Sequence, residues 1–111
     1  MAHVKHGYHP QPVIDDAVKG VSMEILIGKA EESPTCVMRR FKVESGGYTF
    51  KHTHDYEHVV YVLSGKATLY AENGEFELNA GTHLIVKPNE LHQFKADRGE
   101  DFEFLCTIPL K

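Results

Sequence analysis

The stretch Gly46-Gly47-Tyr48-Thr49-Phe50-Lys51-His52-Thr53-His54-Asp55-Tyr56-Glu57-His58 decides how the chain is read. His52 and His54 are two apart, so on an extended strand both rings leave the same face. His58 follows across the Asp55-Tyr56 bend, at the head of the apolar run Val59-Val60-Tyr61-Val62. His92 comes later, after the proline turn Pro88-Asn89-Glu90, which can bring it onto a facing strand. An HxH pair alone is often two surface or hydrogen-bonded rings. Four histidines converging from rigid strands have few uses besides holding a metal, because imidazole is the commonest side-chain ligand for first-row transition ions. The candidate ligands are therefore His52, His54, His58 and His92.

Outward from this cluster the chain reads as short strands. Val21 to Ile27 alternates, with Val21, Met23, Ile25 and Ile27 on one face and Leu26 interrupting the polar one, which suggests a contact with another chain. Thr35 to Val43 follows with Val37, Phe41 and Val43 in phase, ending at Ser45-Gly46-Gly47. Tyr48 to Thr53 and Glu57 to Leu63 flank the histidines, and Ala67 to Ala71 comes next. Asn73-Gly74 then supplies a two-residue hairpin turn of type I′. Phe76 and Leu78, Thr82 to Val86, Leu91 to Lys95 and Phe102 to Ile108 complete the set, with Phe102, Phe104, Cys106 and Ile108 sharing a face. Met1 to Pro12 is polar and irregular; Val13 to Gly20 is either one helical turn or a first edge strand. Many short strands with frequent turns predict an all-β sandwich or barrel, and closure into a double-sheet form leaves few exposed edges.

Composition narrows the function classes. A chain of 111 residues with 41% hydrophobic and 25% charged residues suits one soluble domain. No run approaches the roughly 20 apolar residues of a membrane span. The first ten residues carry no apolar run, so a cytoplasmic location is expected. A net charge of −4 with scattered basic residues argues against nucleic acid as a partner. Cys36 and Cys106 form no CxxC pair and read as free thiols. Eight histidines are the one compositional oddity, and His3, His6 and His9 belong to the polar leader.

The run Gly46-(five residues)-His52-Thr53-His54-(three residues)-His58-(six residues)-Gly65 resembles the first motif of the cupins, in which glutamate usually stands at the His58 position. Gly81-(six residues)-Pro88-(three residues)-His92 is similar to their second motif, with the proline displaced by one, Asn89 in place of a glycine and Ala96 in place of a frequent asparagine. With histidine for glutamate, and an ending in Phe104-Leu105-Cys106-Thr107-Ile108-Pro109, the chain resembles the four-histidine manganese-binding monocupins. That resemblance spans about Val18 to Pro109. It implies a jelly-roll barrel (a double-stranded β-helix) over residues 18–111 behind an arm of residues 1–17. It further implies manganese first and iron second as the metal, with nickel, copper or zinc as alternatives, and a homodimer.

Four neutral imidazoles leave a bound dication with a net charge of about +2, against about +1 when one ligand is a carboxylate. Such a site is the stronger Lewis acid and attracts anions, while oxidation of the metal becomes harder. An octahedral ion would keep two neighbouring positions open; tetrahedral zinc would keep none. Glu57 is next to His58 and so points to the opposite face. His83 is out of phase with Leu84 and Val86 and reads as outward or at an interface. Tyr61 and Phe94 read as core or interface aromatics. Cys106 reads as a buried core thiol, with a place in the metal cavity as the alternative the resemblance offers. Arg39 and Arg40 read as solvated charges, though one of them could meet an anionic substrate. The expected function is an oxygen- or peroxide-dependent, dioxygenase-like oxidation of a small organic molecule. The alternatives are a non-catalytic module binding a small ligand or metal, and a metal-dependent isomerase.

Overall fold

Period-two alternation is visible in which side chains are buried. On β4 (His58–Ser64), His58, Val60 and Val62 are buried while Val59 and Tyr61 are exposed. On β9 (Phe102–Pro109), Phe102, Phe104 and Cys106 are buried. The computed structural model describes residues 1–110; Lys111, the last residue of the expected barrel, lies outside them. The remaining strands are β1 (Gln11–Pro12), β2 (Lys19–Ile27), β3 (Cys36–Tyr48), β5 (Ala67–Ala71), β6 (Gly74–Leu78), β7 (His83–Val86) and β8 (His92–Ala96). One 3-10 turn, Lys29–Glu31, is the only helical element of the described residues. Pairing is antiparallel throughout, in the order β6-β5-β8-β3-β9-β4-β7, with β2 also beside β3 and β1 beside β2. The sheet curls on itself as an all-β jelly-roll barrel. Among the described residues no helix is long and apolar enough to cross a membrane.

The core joins valines of β3 and β4 to a run of phenylalanines. Val43, Val60, Val62 and Phe102 are at or below 1% exposure. Phe104 stacks between Phe41 and Phe94, each at 5.0 Å between ring centroids, so the aromatic core continues into the wall of the histidine cavity. Aromatic stacking adds to the area each ring removes from water.

Several local expectations change. β3 does not end at Ser45-Gly46-Gly47 but runs through to Tyr48. Residues 44–47 form a bulge, since Lys19 pairs Tyr48 while Val21 pairs Val43. Gly47 makes that bulge fit: a Cβ there would lie 2.3 Å from the Lys19 carbonyl oxygen. The bulge redirects the chain from β3 into the histidine segment.

On β2, Val21, Met23 and Ile25 keep one face, opposite Val43, Phe41 and Arg39, but Ile25 is 52% exposed there, and the ladder slips between it and Ile27. The β5–β6 hairpin turns on Glu72 and Asn73, one residue earlier than expected, with Ala71 opposite Gly74. Positive φ is confined there to Gly74, so the turn is not type I′. Val13 to Gly20 contains neither a helical turn nor a strand of its own. Residues 13–18 are the turn between β1 and β2, where the Ala17 N–H donates to Asp15 Oδ1 at 2.8 Å, and Lys19 and Gly20 already belong to β2. The polar leader also has fixed partners: Lys5 Nζ meets Glu31 at 2.9 Å, and the His9 N–H donates to Glu24 at 2.8 Å.

Candidate metal centre

His52 and His92 exchange both backbone hydrogen bonds, each at 3.2 Å, in an isolated antiparallel bridge. That pairing sets the two rings on the same side of the sheet. His54 lies in the loop beyond, held by the Asn89 N–H, which donates to the His54 carbonyl at 2.7 Å. Asn89 has φ 66°, a conformation asparagine tolerates where the family resemblance expects glycine. His58 opens β4 opposite Val86. The four residues each offer a ring nitrogen, and these nitrogens lie within 4.8 Å of one another.

Hydrogen bonds aim the rings. His54 Nδ1 is 2.9 Å from the Tyr56 carbonyl oxygen, and His92 Nδ1 is 2.8 Å from the Glu90 carbonyl oxygen. A carbonyl only accepts, so both Nδ1 atoms carry the proton and both Nε2 atoms are bare toward the cluster. His54 Nε2 and His58 Nε2 are in direct contact. With His58 Nε2 bare as well, the two lone pairs would repel unless a cation lay between them, and in that tautomer the donor set fits a metal ion. A metal at this focus needs a bare Nε2 on His58, which puts that ring's proton on Nδ1, 2.9 Å from Cys106 Sγ.

Electrostatics agree. Burial pushes His58 down to about 3, and repulsion from His54 and Arg39 adds to the effect. Burial also lowers His52 and His92, in His52 with repulsion from His92. These three rings are neutral at pH 7, the form a metal requires. Burial raises the Cys106 thiol, against the opposing pull of Arg39.

A cavity of about 230 Å³ opens onto the cluster, walled by Met23, Phe41, Phe50, Phe94 and Phe104, with Val13, Tyr56, Arg39 and Cys106 also in its lining. A larger open groove of about 930 Å³ between the β5–β6 hairpin and β7 contains none of the four ligands. Of the two, only the smaller borders the four histidines.

One expectation is borne out in both its forms, and one is corrected. Cys106 is buried in the core and also lines the cavity, touching His58. Arg39 is not a solvated charge: its Nη2 lies 3.0 Å from Cys106 Sγ and 3.2 Å from His58 Nδ1. The signal for Arg39 was its parity with Phe41 and Val43, which places it on the inner face of β3. Arg40 faces the other way, 2.9 Å from Glu103 and 4.0 Å from the Tyr8 ring. Glu57 is not part of the cluster. His83 is exposed and stacks on the half-exposed Tyr61, while Phe94 is a core ring.

A family model described as "Cupin domain" matches residues 39–108, a span that holds all four histidines, Arg39 and Cys106. No curated protein sequence matches the chain. Among solved structures, the polyketide cyclase RemF from Streptomyces resistomycificus superposes with TM-score 0.88 at 24% identity, over 98% of this chain and 81% of that one. A cupin 2 conserved barrel domain protein from Rhodopseudomonas palustris gives 0.83 at 25% identity, over 92% and 70%. A predicted oxalate decarboxylase from Thermotoga maritima gives 0.80 at 24% identity, over 92% of both chains. These likenesses concern the fold. Because the family match covers most of the chain, the protein belongs to the cupin-domain family.

Proposed function

We propose that this cupin holds one divalent transition-metal ion on His52, His54, His58 and His92, and carries out oxygen- or peroxide-dependent oxidation of a small organic molecule in the adjoining cavity. The observation that carries the reading is the convergence of four ring nitrogens within 4.8 Å beside a cavity with no carboxylate in its lining. When bound, the ion supplies Lewis acidity at undiminished charge and, if octahedral, two neighbouring positions for substrate and oxidant.

The chain's own residues do the rest. The carbonyls of Tyr56 and Glu90 hold His54 and His92 in the ligating tautomer, and Cys106 is placed to do the same for His58. Phe41, Phe94 and Phe104 shape the cavity and keep water from its inner end. No acid–base pair stands apart from the ligands, which favours redox or Lewis-acid chemistry over proton shuttling and disfavours isomerisation. Manganese first and iron second follow from the four-histidine resemblance. The homodimer belongs to the same proposal, with exposed Val59, Tyr61 and Ile85 as its surface, and so does a cytoplasmic setting.

A second reading, a binding module without turnover, is favoured by the half-buried cationic Arg39 in the cavity wall, which can grip a ligand with no reaction following. The test is consumption of oxygen, or of hydrogen peroxide with guaiacol as reductant, by manganese- and iron-loaded protein. Metal-dependent consumption that is lost in His92→Ala supports the oxidoreductase. No consumption with either ion leaves the binding module.

A further inference from the structure

The guanidinium of Arg39 stands in the cavity wall with no carboxylate of the described residues paired to it. Lys5–Glu31, Arg40–Glu103 and Lys42–Asp101 form ion pairs, and Arg39 is in none of these. Its contacts are a sulfur at 3.0 Å, a ring nitrogen at 3.2 Å and the face of Phe41, 4.9 Å from the ring centroid. Its Nε is buried with no hydrogen-bond partner, as is that of Arg40, so what sets the two apart is the carboxylate that only Arg40 meets. Arg40, one residue along and facing outward, has a carboxylate of its own. Arginine cannot shed its proton, so a poorly answered charge inside a cavity is costly. Such local conflicts with stability concentrate where a ligand is expected.

We propose that Arg39 is the specificity-determining residue of this cavity, taking the carboxylate of a small organic acid with an apolar body. Its planar fork matches a carboxylate in two parallel hydrogen bonds. The apolar body lies against Phe41, Phe94 and Phe104. The cavity of about 230 Å³ is smaller than the roughly 300–1,000 Å³ that suits drug-sized ligands, so the acid is small. The guanidinium sits behind the His58 ring, at Nδ1, while the metal-facing Nε2 is on the other side. An acid held at Arg39 therefore presents its other end toward the four nitrogens; this last point alone rests on the metal reading above.

The experiment is calorimetric titration of benzoate and its neutral isostere benzamide into metal-loaded and metal-free protein, with metal content measured in every sample. Wild type is expected to prefer benzoate over benzamide by about tenfold or more, with and without metal. In metal-free protein Arg39→Gln is expected to abolish that preference, with unchanged metal content in the loaded samples, while Arg40→Gln keeps it. Equal affinity of the wild type for the two probes, or an equal loss in Arg39→Gln and Arg40→Gln, overturns the proposal. If Arg39→Gln does not fold, Arg39→Lys is read instead: it keeps the charge without the fork, and an undiminished preference overturns bidentate recognition. A wild type that holds no metal yet keeps the metal-free preference ends the proposed function and leaves Arg39 in this role.

Discussion

The pair β4–β7 has two faces built from alternate residues of the same short strands, and they behave as different materials. The inner face carries His58, Val60, Val62 and Val86, all buried, and ends in the metal cluster. The outer face carries Val59, Tyr61 and Ile85, each about half exposed, with His83 stacked on Tyr61. Chemical type does not separate the two sides, since valine and histidine occur on both. Enclosure does: the imidazole of His58 is buried within the barrel and held down at about 3, whereas that of His83 lies on the surface.

That contrast can be broken most severely in the core. Phe102→Ala, at 0% exposure, removes a whole ring from the inner packing and is expected to cost about 3–5 kcal/mol, read as a lower urea midpoint. A midpoint within error of wild type would mean that the inner face is not close-packed. Next is Cys106→Ser, which alters the partner of His58 Nδ1 without touching a ligand. Metal affinity should fall about tenfold with the fold intact; unchanged affinity would make Cys106 mere filling.

A pH series sharpens the same comparison. In metal-free protein His58 titrates at about 3 when folded but near its ordinary 6.5 when unfolded, and His52 and His92 shift in the same direction. Below about 6.5 the unfolded chain therefore binds protons that the folded chain refuses, so stability falls as pH drops through that window toward 3. Denaturation midpoints measured between pH 7.5 and 4.5 should decline, and a flat or rising series would contradict the burial of these rings. The smallest effect belongs outside: Val59→Ala should change monomer stability by no more than about 0.5 kcal/mol. If the outer face is the dimer surface, Val59→Lys should instead shift sedimentation from twice the chain mass to one.

The four clustered histidines and the barrel were legible because their signals are local. Two-residue spacing puts His52 and His54 on one face, and turns recur often enough to allow only short strands. What escaped depends on contacts between distant strands. Arg39 and Cys106 are cross-strand partners on β3 and β9, so neither residue alone reveals that the pair lines a cavity. Arginine's usual preference for water also outweighed a parity that pointed inward. The bulge at residues 44–47 was invisible for a related reason: a glycine pair reads as a strand end, and only the Lys19 carbonyl pressed against Gly47 shows the strand passing through. At the β5–β6 turn, Asn73-Gly74 marked the place correctly, but the ladder from Ala67↔Leu78 to Ala71↔Gly74 decides which residues form the loop.

The account turns on one ion gripped by four rings, and elemental analysis with electron paramagnetic resonance on protein purified without added metal tests it most directly. The expected result is a stoichiometric divalent ion, manganese or iron first, with nitrogen couplings from histidine that disappear together with the ion in His58→Ala and in His92→Ala. A folded protein that binds no divalent ion, or one whose ion content is untouched by either substitution, would contradict it.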